Sequence, residues 1–359
     1  MHILKVVTIL MFASVVYSWA LDDTALRNEQ ELHRLVAEGQ RNVAGAKGKD
    51  IVMILGDSQI GKSTMANFIY GCSYGKEEDE NGDIKLQMGG DVAELARRGG
   101  HGVAETLYPA VYNNTEYPIF LCDCPGFEDT KGSTVRVAQS ILLEMMVTAA
   151  RSIRVVAMFK QDATQGTGKP IRSLAETLNA LVRFEKQESL MARTGATVAS
   201  TAASLFSDKK TGPLLFICNN HEERAFTEKQ IAGKLANLRK GHVSQFSKKA
   251  EEVFESEPEM VDIAKKLFTT STPAGGAESE HAQLKSKIDR IRNHPLLKEQ
   301  VENLESTWLL DLMSENNIVV INAFDGSTRT KLREHIRNIP IVEKEKFFFC
   351  RLQRCTNKI

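Results

Sequence analysis

The chain has 359 residues, and its 46 lysine and arginine residues balance 46 aspartate and glutamate residues, so the formal net charge is zero. A balanced charge argues against a protein that binds nucleic acid through bulk electrostatics, because that class carries an excess of positive charge. Hydrophobic residues make up 42% of the chain and charged residues 26%, which is typical of a folded globular protein of one large domain or two.

The first twenty residues differ in composition from the rest of the chain. Lys5 precedes an apolar run over residues 6–16, and small residues follow at Ser18 and Ala20. This pattern predicts a cleaved signal peptide over residues 1–20 and a protein that enters the secretory route, secreted or lumenal. A single-pass membrane anchor, if the segment is uncleaved, and a buried N-terminal helix are the open alternatives. Contact with a membrane is expected only in the anchor case.

The next segment, residues 21–49, is polar with a few apolar residues at helical spacing. Leu32, Leu35 and Val36 would share one side of such a helix, and the segment ends in glycines such as Gly45. We predict a lead-in helix here.

The stretch from residue 51 to residue 64 reads IVMILGDSQIGKST. An apolar run rich in β-branched residues ends at Gly56, and the following residues fit the pattern G-x-x-x-x-G-K-[ST] with Gly61, Lys62 and Ser63. Apolar residues at helical spacing come next. The order of strand, glycine-rich turn and helix predicts a loop that binds phosphate, and we call residues 56–63 the glycine loop.

The chemistry of such a loop follows from its backbone. Glycines allow successive N–H groups to point inward and form a nest for an anion, and the start of the next helix adds its positive dipole end. Lys62 is predicted to reach the β- and γ-phosphates, and the Ser63 hydroxyl is predicted to ligate Mg²⁺. The predicted nucleotide contacts in this stretch are Gly56, Asp57, Ser58, Gln59, Ile60, Gly61, Lys62, Ser63 and Thr64.

Beyond the first helix, residues 74–102 are rich in glycine and acidic residues, and we predict a long loop. Two strands over 107–112 and 117–122 are predicted to form a hairpin. Its turn carries an N-glycosylation sequon at Asn113, which matters only if the chain enters the secretory route.

The remainder of the chain alternates between further strand and helix patterns. Helices are predicted over residues 133–150, 169–186, 223–255 and 327–337, and strands over 154–159, 214–218, 267–270 and 318–321. This alternation predicts an α/β fold, with a doubly wound, mostly parallel sheet and helices on both faces. We assign residues 50–275 to the nucleotide-binding domain. Residues 276–359 are assigned to a helical C-terminal extension, which includes a candidate last strand (317–322) and last helix of that domain.

A second motif follows the predicted strand over 117–122. Asp123 ends that strand, and Gly126 comes three residues later. A carboxylate at this position can hold a water of a Mg²⁺ ion, and the Gly126 N–H could contact a γ-phosphate.

Together these motifs resemble the P-loop GTPases with a TRAFAC-type G domain. The resemblance rests on GDSQIGKST, on Thr106, on DCPGF from Asp123, and on the strand that ends in Asn-Asn-His-Glu at residues 219–222. The form DxPGF is similar to that of the septins and of the immune-associated nucleotide-binding GTPases. The matched region, residues 51–222, is about half of the chain. The resemblance implies a P-loop NTPase fold that binds GTP with Mg²⁺.

The resemblance also implies roles for individual residues. Thr106 stands where the family has the threonine that completes the Mg²⁺ shell in the triphosphate state, although a threonine that merely begins a strand is an open alternative. The implied metal ligands are Ser63, Thr106 and Asp123, and the implied catalytic residues are Lys62, Thr106 and Gly126.

Two positions depart from the base-reading motif of the family, and a third departs from the pattern of other GTPases. Asn219 matches the first residue of the guanine-reading motif N-K-x-D, but Asn220 replaces the lysine and Glu222 replaces the aspartate. Asn219, Asn220 and Glu222 are predicted to contact the base of the nucleotide. GTP is favoured as that nucleotide, and ATP and a polar loop without a role in binding are the alternatives. Phe127 stands where other GTPases have the glutamine that orients the attacking water, so we expect slow hydrolysis unless another group or a second subunit assists.

The sequence therefore predicts a guanine-nucleotide-binding protein, a slow Mg²⁺-dependent GTPase that acts as a switch or an assembly module. Its expected partner is a nucleoside triphosphate, and a homo-oligomer through the G domain is an open question. The alternatives are a P-loop ATPase and a nucleotide-binding assembly scaffold with negligible hydrolysis.

Overall fold

The structure is a computed structural model, and it describes most residues between 23 and 347. The described residues are 23–78, 84–89, 106–114, 117–126, 132–165, 168–182, 185–187, 209–211, 214–220, 225–257, 286 and 289–347. The predicted signal segment, the strand predicted over 267–270, Phe127 and Glu222 lie outside these ranges. Within them, no helix has both the length and the apolar character needed to cross a lipid bilayer.

The strands of the described residues form one large sheet and two small hairpins. In chain order they are β1 (Asp50–Leu55), β2 (Ser73–Glu78), β3 (Ile84–Gly89), β4 (Ala110–Tyr112), β5 (Phe120–Asp123), β6 (Ser152–Lys160), β7 (Glu185–Gln187), β8 (Lys209–Thr211), β9 (Leu214–Asn219) and β10 (Ile318–Ile321). The large sheet has six strands in the order β10-β9-β6-β1-β5-β4. Its neighbours run parallel except β4, which is antiparallel to β5. The predicted α/β class with a mostly parallel sheet is confirmed.

Helices cover both faces of this sheet. They are α1 (Asp23–Val43), α2 (Lys62–Tyr70), α3 (Ser133–Ala149), α4 (Lys169–Leu181), α5 (Glu228–Ser256), α6 (Lys298–Glu305), α7 (Thr307–Leu312) and α8 (Gly326–Asn338). Alternate residues of β1 point to opposite faces, so Met53 joins a core with α3, α4 and α7, whereas Ile54 joins a core with α2 and α8. The strand is therefore apolar along its whole length, as a strand buried on both faces requires.

The structure corrects three of the predicted elements. The region predicted as a loop over 74–102 contains the β2–β3 hairpin, in which Ile84, Leu86 and Met88 alternate with polar residues at the period of a strand. The many glycine and acidic residues nearby hid that signal. The lead-in helix ends at Val43, and the helix predicted to residue 186 ends at Leu181, before the short strand β7.

The strand order places a crevice at the end of β1. The chain passes from β5 on one side of β1, through α3, to β6 on the other side. In open α/β sheets, ligands bind outside the carboxyl ends of the strands at the point where the strand order reverses in this way. Here that point lies at Leu55, directly before the glycine loop.

Candidate functional site

The glycine loop joins the carboxyl end of β1 to the start of α2. Gly56, Gln59 and Gly61 all have positive φ, at 148°, 62° and 90°. A side chain at Gly56 would also collide with the backbone of β6, because a Cβ there would lie 2.6 Å from the Met158 carbonyl oxygen. The glycines of the motif are therefore required by backbone conformation and by close packing.

Lys62 is buried in the first turn of α2 and lies against the glycine loop. Its Nζ donates a hydrogen bond to the Asp57 carbonyl oxygen at 2.7 Å. The Asp57 carboxylate in turn accepts a bond from the Ser173 hydroxyl of α4 at 3.2 Å. The loop is thus closed over a lysine ammonium, which places a positive charge beside its backbone N–H groups.

The three residues predicted as metal ligands lie together at the carboxyl edge of the sheet. The Ser63 hydroxyl donates to Asp123 Oδ2 at 2.6 Å, and the Thr106 hydroxyl donates to the same oxygen at 3.3 Å. The two hydroxyl oxygens are 3.2 Å apart. The three residues come from three separate elements: Ser63 from α2, Thr106 from the segment before β4, and Asp123 from the end of β5.

Asp123 is almost fully buried, and its two carboxylate oxygens differ in their hydrogen bonding. Burial raises the pKa of Asp123, against the opposing effects of the Ser63 hydrogen bond, the Lys62 charge and the Thr106 hydrogen bond. Within the described part of the chain, Asp123 Oδ1 has no hydrogen-bond partner. A buried carboxylate oxygen without a partner is costly, so this atom is suited to bind a cation or a cation-bound water.

The donor set agrees with the chemistry of Mg²⁺. The described residues contain no group of three or more His, Cys, Asp or Glu side chains that could hold a metal. The cluster here instead has one carboxylate and two hydroxyls, all of them hard oxygen donors. Mg²⁺ keeps several waters and uses few protein ligands, so these residues fit that ion.

Two neighbouring helices hold the segment that carries Thr106. The Tyr108 hydroxyl donates to a Glu38 oxygen of α1 at 2.7 Å, and Gln139 of α3 donates to the Leu107 carbonyl oxygen at 3.2 Å. Burial, with the Glu38 carboxylate, raises the pKa of Tyr108 to about 12, so its hydroxyl keeps its proton at neutral pH. Sequence reasoning missed both positioning contacts, because nothing local marks Glu38 or Gln139 as partners of this segment.

Gly126 packs directly on the glycine loop. A Cβ added at Gly126 would lie 2.3 Å from the Ser58 hydroxyl oxygen and 2.5 Å from the Ser58 backbone nitrogen. No side chain larger than hydrogen fits between the two segments. The chain that follows Asp123 therefore touches the loop through its backbone.

Asn219 supports the loop from the end of β9. Its Nδ2 donates to the Ile60 carbonyl oxygen at 2.7 Å, and a Cβ at Gly61 would lie only 2.9 Å from that nitrogen. The side chain is buried, and its Oδ1 has no hydrogen-bond partner among the described residues. A role in reading a base stays a prediction, whereas contact with the loop is observed.

Asn220 faces the neighbouring strand rather than the loop. Its Nδ2 donates to Asn322 Oδ1 at 2.6 Å, and Asn322 Nδ2 donates to the Phe226 carbonyl oxygen at 2.8 Å. Sequence reasoning missed Asn322, although it directly follows the strand predicted over 318–321. A polar residue at the carboxyl end of a parallel strand was the signal that could have indicated it.

The remaining predicted contacts lie around the loop. Gln59 is exposed at its tip, Ile60 is buried beneath it, and Thr64 lies half-buried in the first turn of α2. Glu222, the predicted end of the base-reading motif, is outside the described residues.

Comparison with known proteins leaves the family of this chain open. A scan against protein-family models gives no match, and a search of curated proteins finds no significant match. The function is therefore inferred from the residues of the site and their geometry.

Proposed function

We propose that this protein is a P-loop GTPase that binds a guanine nucleoside triphosphate with Mg²⁺ and hydrolyses it slowly, as a switch or an assembly module. The observation that carries the proposal is the cluster of Ser63, Thr106 and Asp123 beside the glycine loop. Three hard-oxygen side chains that are far apart in the sequence meet where a phosphate-bound metal ion would lie.

The glycine loop supplies the phosphate subsite. Its backbone N–H groups and the start of α2 form an anion-binding concavity. Lys62 donates to the Asp57 carbonyl oxygen, and a phosphate oxygen in the loop would be a stronger acceptor because it is charged. The glycine loop together with Lys62 supports the proposal of a P-loop NTPase fold.

Ser63 and Thr106 would hold Mg²⁺ directly, and Asp123 would hold it through waters bound to the ion. When bound, the ion neutralises charge on the phosphate oxygens. The Ser63 hydroxyl would turn from Asp123 towards the ion, and the Asp123 carboxylate would accept hydrogen bonds from ion-bound waters. The buried, partnerless Asp123 Oδ1 is available for that purpose in the described structure.

Hydrolysis would proceed by in-line attack of water on the γ-phosphate. Lys62 and the N–H groups of the glycine loop would stabilise the negative charge that develops in the transition state. Gly126 lies against the loop, and its N–H would contact the γ-phosphate. Phe127 has no group that can orient a water, so turnover is expected to be slow, and an assembly scaffold with negligible hydrolysis is the limiting form of the same proposal.

The base is the least constrained part of the proposal. A P-loop ATPase is the second candidate, and the position of Asn220 favours it: this side chain is bonded to Asn322 and is too short to cover a base as the family lysine would. Competition between GTP and ATP for one site decides between the two. Preference for GTP by a large factor supports the first candidate, and equal competition supports the second.

Asp123→Asn tests the metal cluster. The variant keeps an acceptor for the Ser63 hydroxyl but loses the negative charge that orders ion-bound waters. We expect the affinity for GTP to fall in Mg²⁺ while the affinity without metal changes little, as measured by calorimetric titration with and without a chelator. Asp325→Asn, an exposed helix cap on α8, is the control. If the affinity of Asp123→Asn for GTP depends on Mg²⁺ as that of the wild type does, the assignment of Asp123 to the metal site is wrong.

A further inference from the structure

A cavity lies at the amino ends of the strands, the opposite side of the sheet from the glycine loop. It has a volume of about 500 Å³, and residues at the amino ends of β1, β5 and β6 line it together with α8. We call it the basal cavity. Pockets of this size take small organic ligands, and the volume is larger than a single phosphate ion needs.

The charge of the basal cavity is one-sided. Among the described residues, its lining carries four cationic side chains, Lys49, Arg151, Arg154 and Arg337, and one carboxylate, that of Asp50. The chain as a whole is neutral, so this excess is local. A concave surface lined by one sign of charge concentrates ligands of the opposite sign.

The negative charge of the Asp50 carboxylate is compensated by a neighbouring arginine. Asp50 pairs with the Arg151 guanidinium and accepts a hydrogen bond from the Ser152 hydroxyl at 2.6 Å. These bonds hold the pKa of Asp50 well below its usual range, so it stays ionised and paired with Arg151. Three of the four cations therefore remain for another anion.

Those three cations are held in place by contacts with a carbonyl group and with aromatic rings. Arg154 Nε donates to the Ile339 carbonyl oxygen at 2.9 Å, Lys49 Nζ lies 5.2 Å from the centre of the Phe120 ring, and the Arg337 guanidinium lies 5.1 Å from the centre of the Tyr117 ring. In the described part of the chain, none of the three forms an ion pair with a carboxylate within 4 Å. Ring and carbonyl contacts orient these groups without neutralising them.

We infer that the basal cavity binds a small organic phosphate. Arginine guanidinium groups match phosphate oxygens through paired hydrogen bonds, and several cations around one ligand suit a doubly charged phosphate ester better than a single carboxylate. The apolar part of the lining, which includes Pro118 and Ile336, would contact the carbon skeleton of that ligand. A free phosphate ester and the phosphomonoester headgroup of a lipid share this chemistry.

Glycerol 3-phosphate is the soluble probe, and the full chain is titrated with it by calorimetry. Arg337→Gln and Arg154→Gln should each weaken binding by about tenfold, the scale of one lost charge-assisted hydrogen bond. Arg136→Gln removes an exposed arginine of α3 that does not line the cavity, and it should bind as the wild type does. Arg337 is exposed on α8, so its variant keeps the test valid if Arg154→Gln does not fold.

Two further experiments distinguish a lipid headgroup from a free phosphate ester, and the basal cavity from the glycine loop. Sedimentation with vesicles of phosphatidylcholine, with and without phosphatidic acid, distinguishes a lipid headgroup from a free ester; binding only to phosphatidic acid vesicles, lost in Arg337→Gln, assigns the cavity to the lipid. Lys62→Ala separates the cavity from the glycine loop and should bind glycerol 3-phosphate unchanged, even if nucleotide binding fails. The inference is overturned if neither probe binds, if Arg337→Gln binds as the wild type does, or if Lys62→Ala alone abolishes binding.

Discussion

Gly126 shows how little space separates the two loops at the end of β1 and β5. The atoms that a Cβ would meet include the backbone of Ser58, which cannot rotate away as a side chain can. Gly126→Ala must therefore displace the glycine loop.

We expect Gly126→Ala to lower the affinity for GTP by about tenfold or more, because an overpacking strain of roughly 1–3 kcal/mol would fall on the loop that holds the phosphates. Gly233→Ala makes the same chemical change on an exposed face of α5 and serves as the matched control. A Cβ there would have no atom of the described residues within 4 Å, apart from its chain neighbours and the backbone of its own helix. Equilibrium titration with GTP measures both. Wild-type affinity in Gly126→Ala would mean that the loop does not hold the nucleotide.

A change at Asn219 can show whether this residue stabilises the glycine loop or contacts the base of the nucleotide. Its amide donates to the Ile60 carbonyl oxygen, so Asn219→Ala removes a bond to the loop itself. We expect the affinities for GTP and ATP to fall by the same factor, since both nucleotides use the loop. Parallel titrations with the two nucleotides check this. Loss of GTP affinity alone would instead assign Asn219 to the base.

The residues of the site differ in how far the sequence predicted them. The glycine loop is a local motif, so its glycines and Lys62 could be placed without a structure. Asp123 was predicted from its place at the end of a strand, whereas Thr106 was predicted only through the family resemblance, and the structure brings those side chains together. The bond from Asn219 to Ile60 joins residues 159 positions apart, and no local pattern carries such a contact.

At the scale of elements, α1 is packed into the molecule through a glycine. A Cβ at Gly39 would lie 2.2 Å from a methyl group of Leu142 on α3, and Leu142 is fully buried. The absence of a side chain at Gly39 lets the two helices approach. Because α1 also carries Glu38, the partner of Tyr108, this packing helps to place the Thr106 segment.

A double-mutant cycle tests the packing of α1 on α3. Leu142→Ala should cost roughly 2–5 kcal/mol of unfolding free energy by opening a cavity. Gly39→Ala should be less unfavourable in the Leu142→Ala background than in the wild type, by about 1–3 kcal/mol, because the new methyl group then enters empty space. Urea unfolding of the four proteins measures this coupling. Additive effects within about 0.5 kcal/mol would show that the two residues do not meet.

The elements themselves were predictable where a single pattern dominated. Strands buried on both faces, such as β1 and β9, are continuous apolar runs and were found at nearly their observed bounds. The β2–β3 hairpin was missed, since its alternating residues are embedded in a stretch whose composition is typical of loops. The end of α4 was placed too late because nothing in the local sequence marks Leu181 as its last residue.

At the scale of the whole molecule, the two proposed sites lie at opposite ends of the strands of the large sheet. The carboxyl ends of β1 and β5 carry the glycine loop and the cluster of Ser63, Thr106 and Asp123, and the amino ends carry the basal cavity. The strand β10, from the region assigned to a C-terminal extension, pairs in parallel with β9 and lies in the same sheet. The secretory location predicted from residues 1–20 stays a prediction.

Calorimetric titration of GTP with Mg²⁺ into the wild type and Lys62→Ala tests the central claim most directly. Lys62 is a cation bonded to the loop, and its removal leaves the glycines and the cluster of Ser63, Thr106 and Asp123 in place. Lys229→Ala, an exposed lysine at the start of α5, controls for loss of charge. The proposal predicts saturable binding to the wild type and Lys229→Ala and no measurable binding to Lys62→Ala, with all three folded by circular dichroism. Equal affinity in all three, or no nucleotide binding by the wild type, would contradict it.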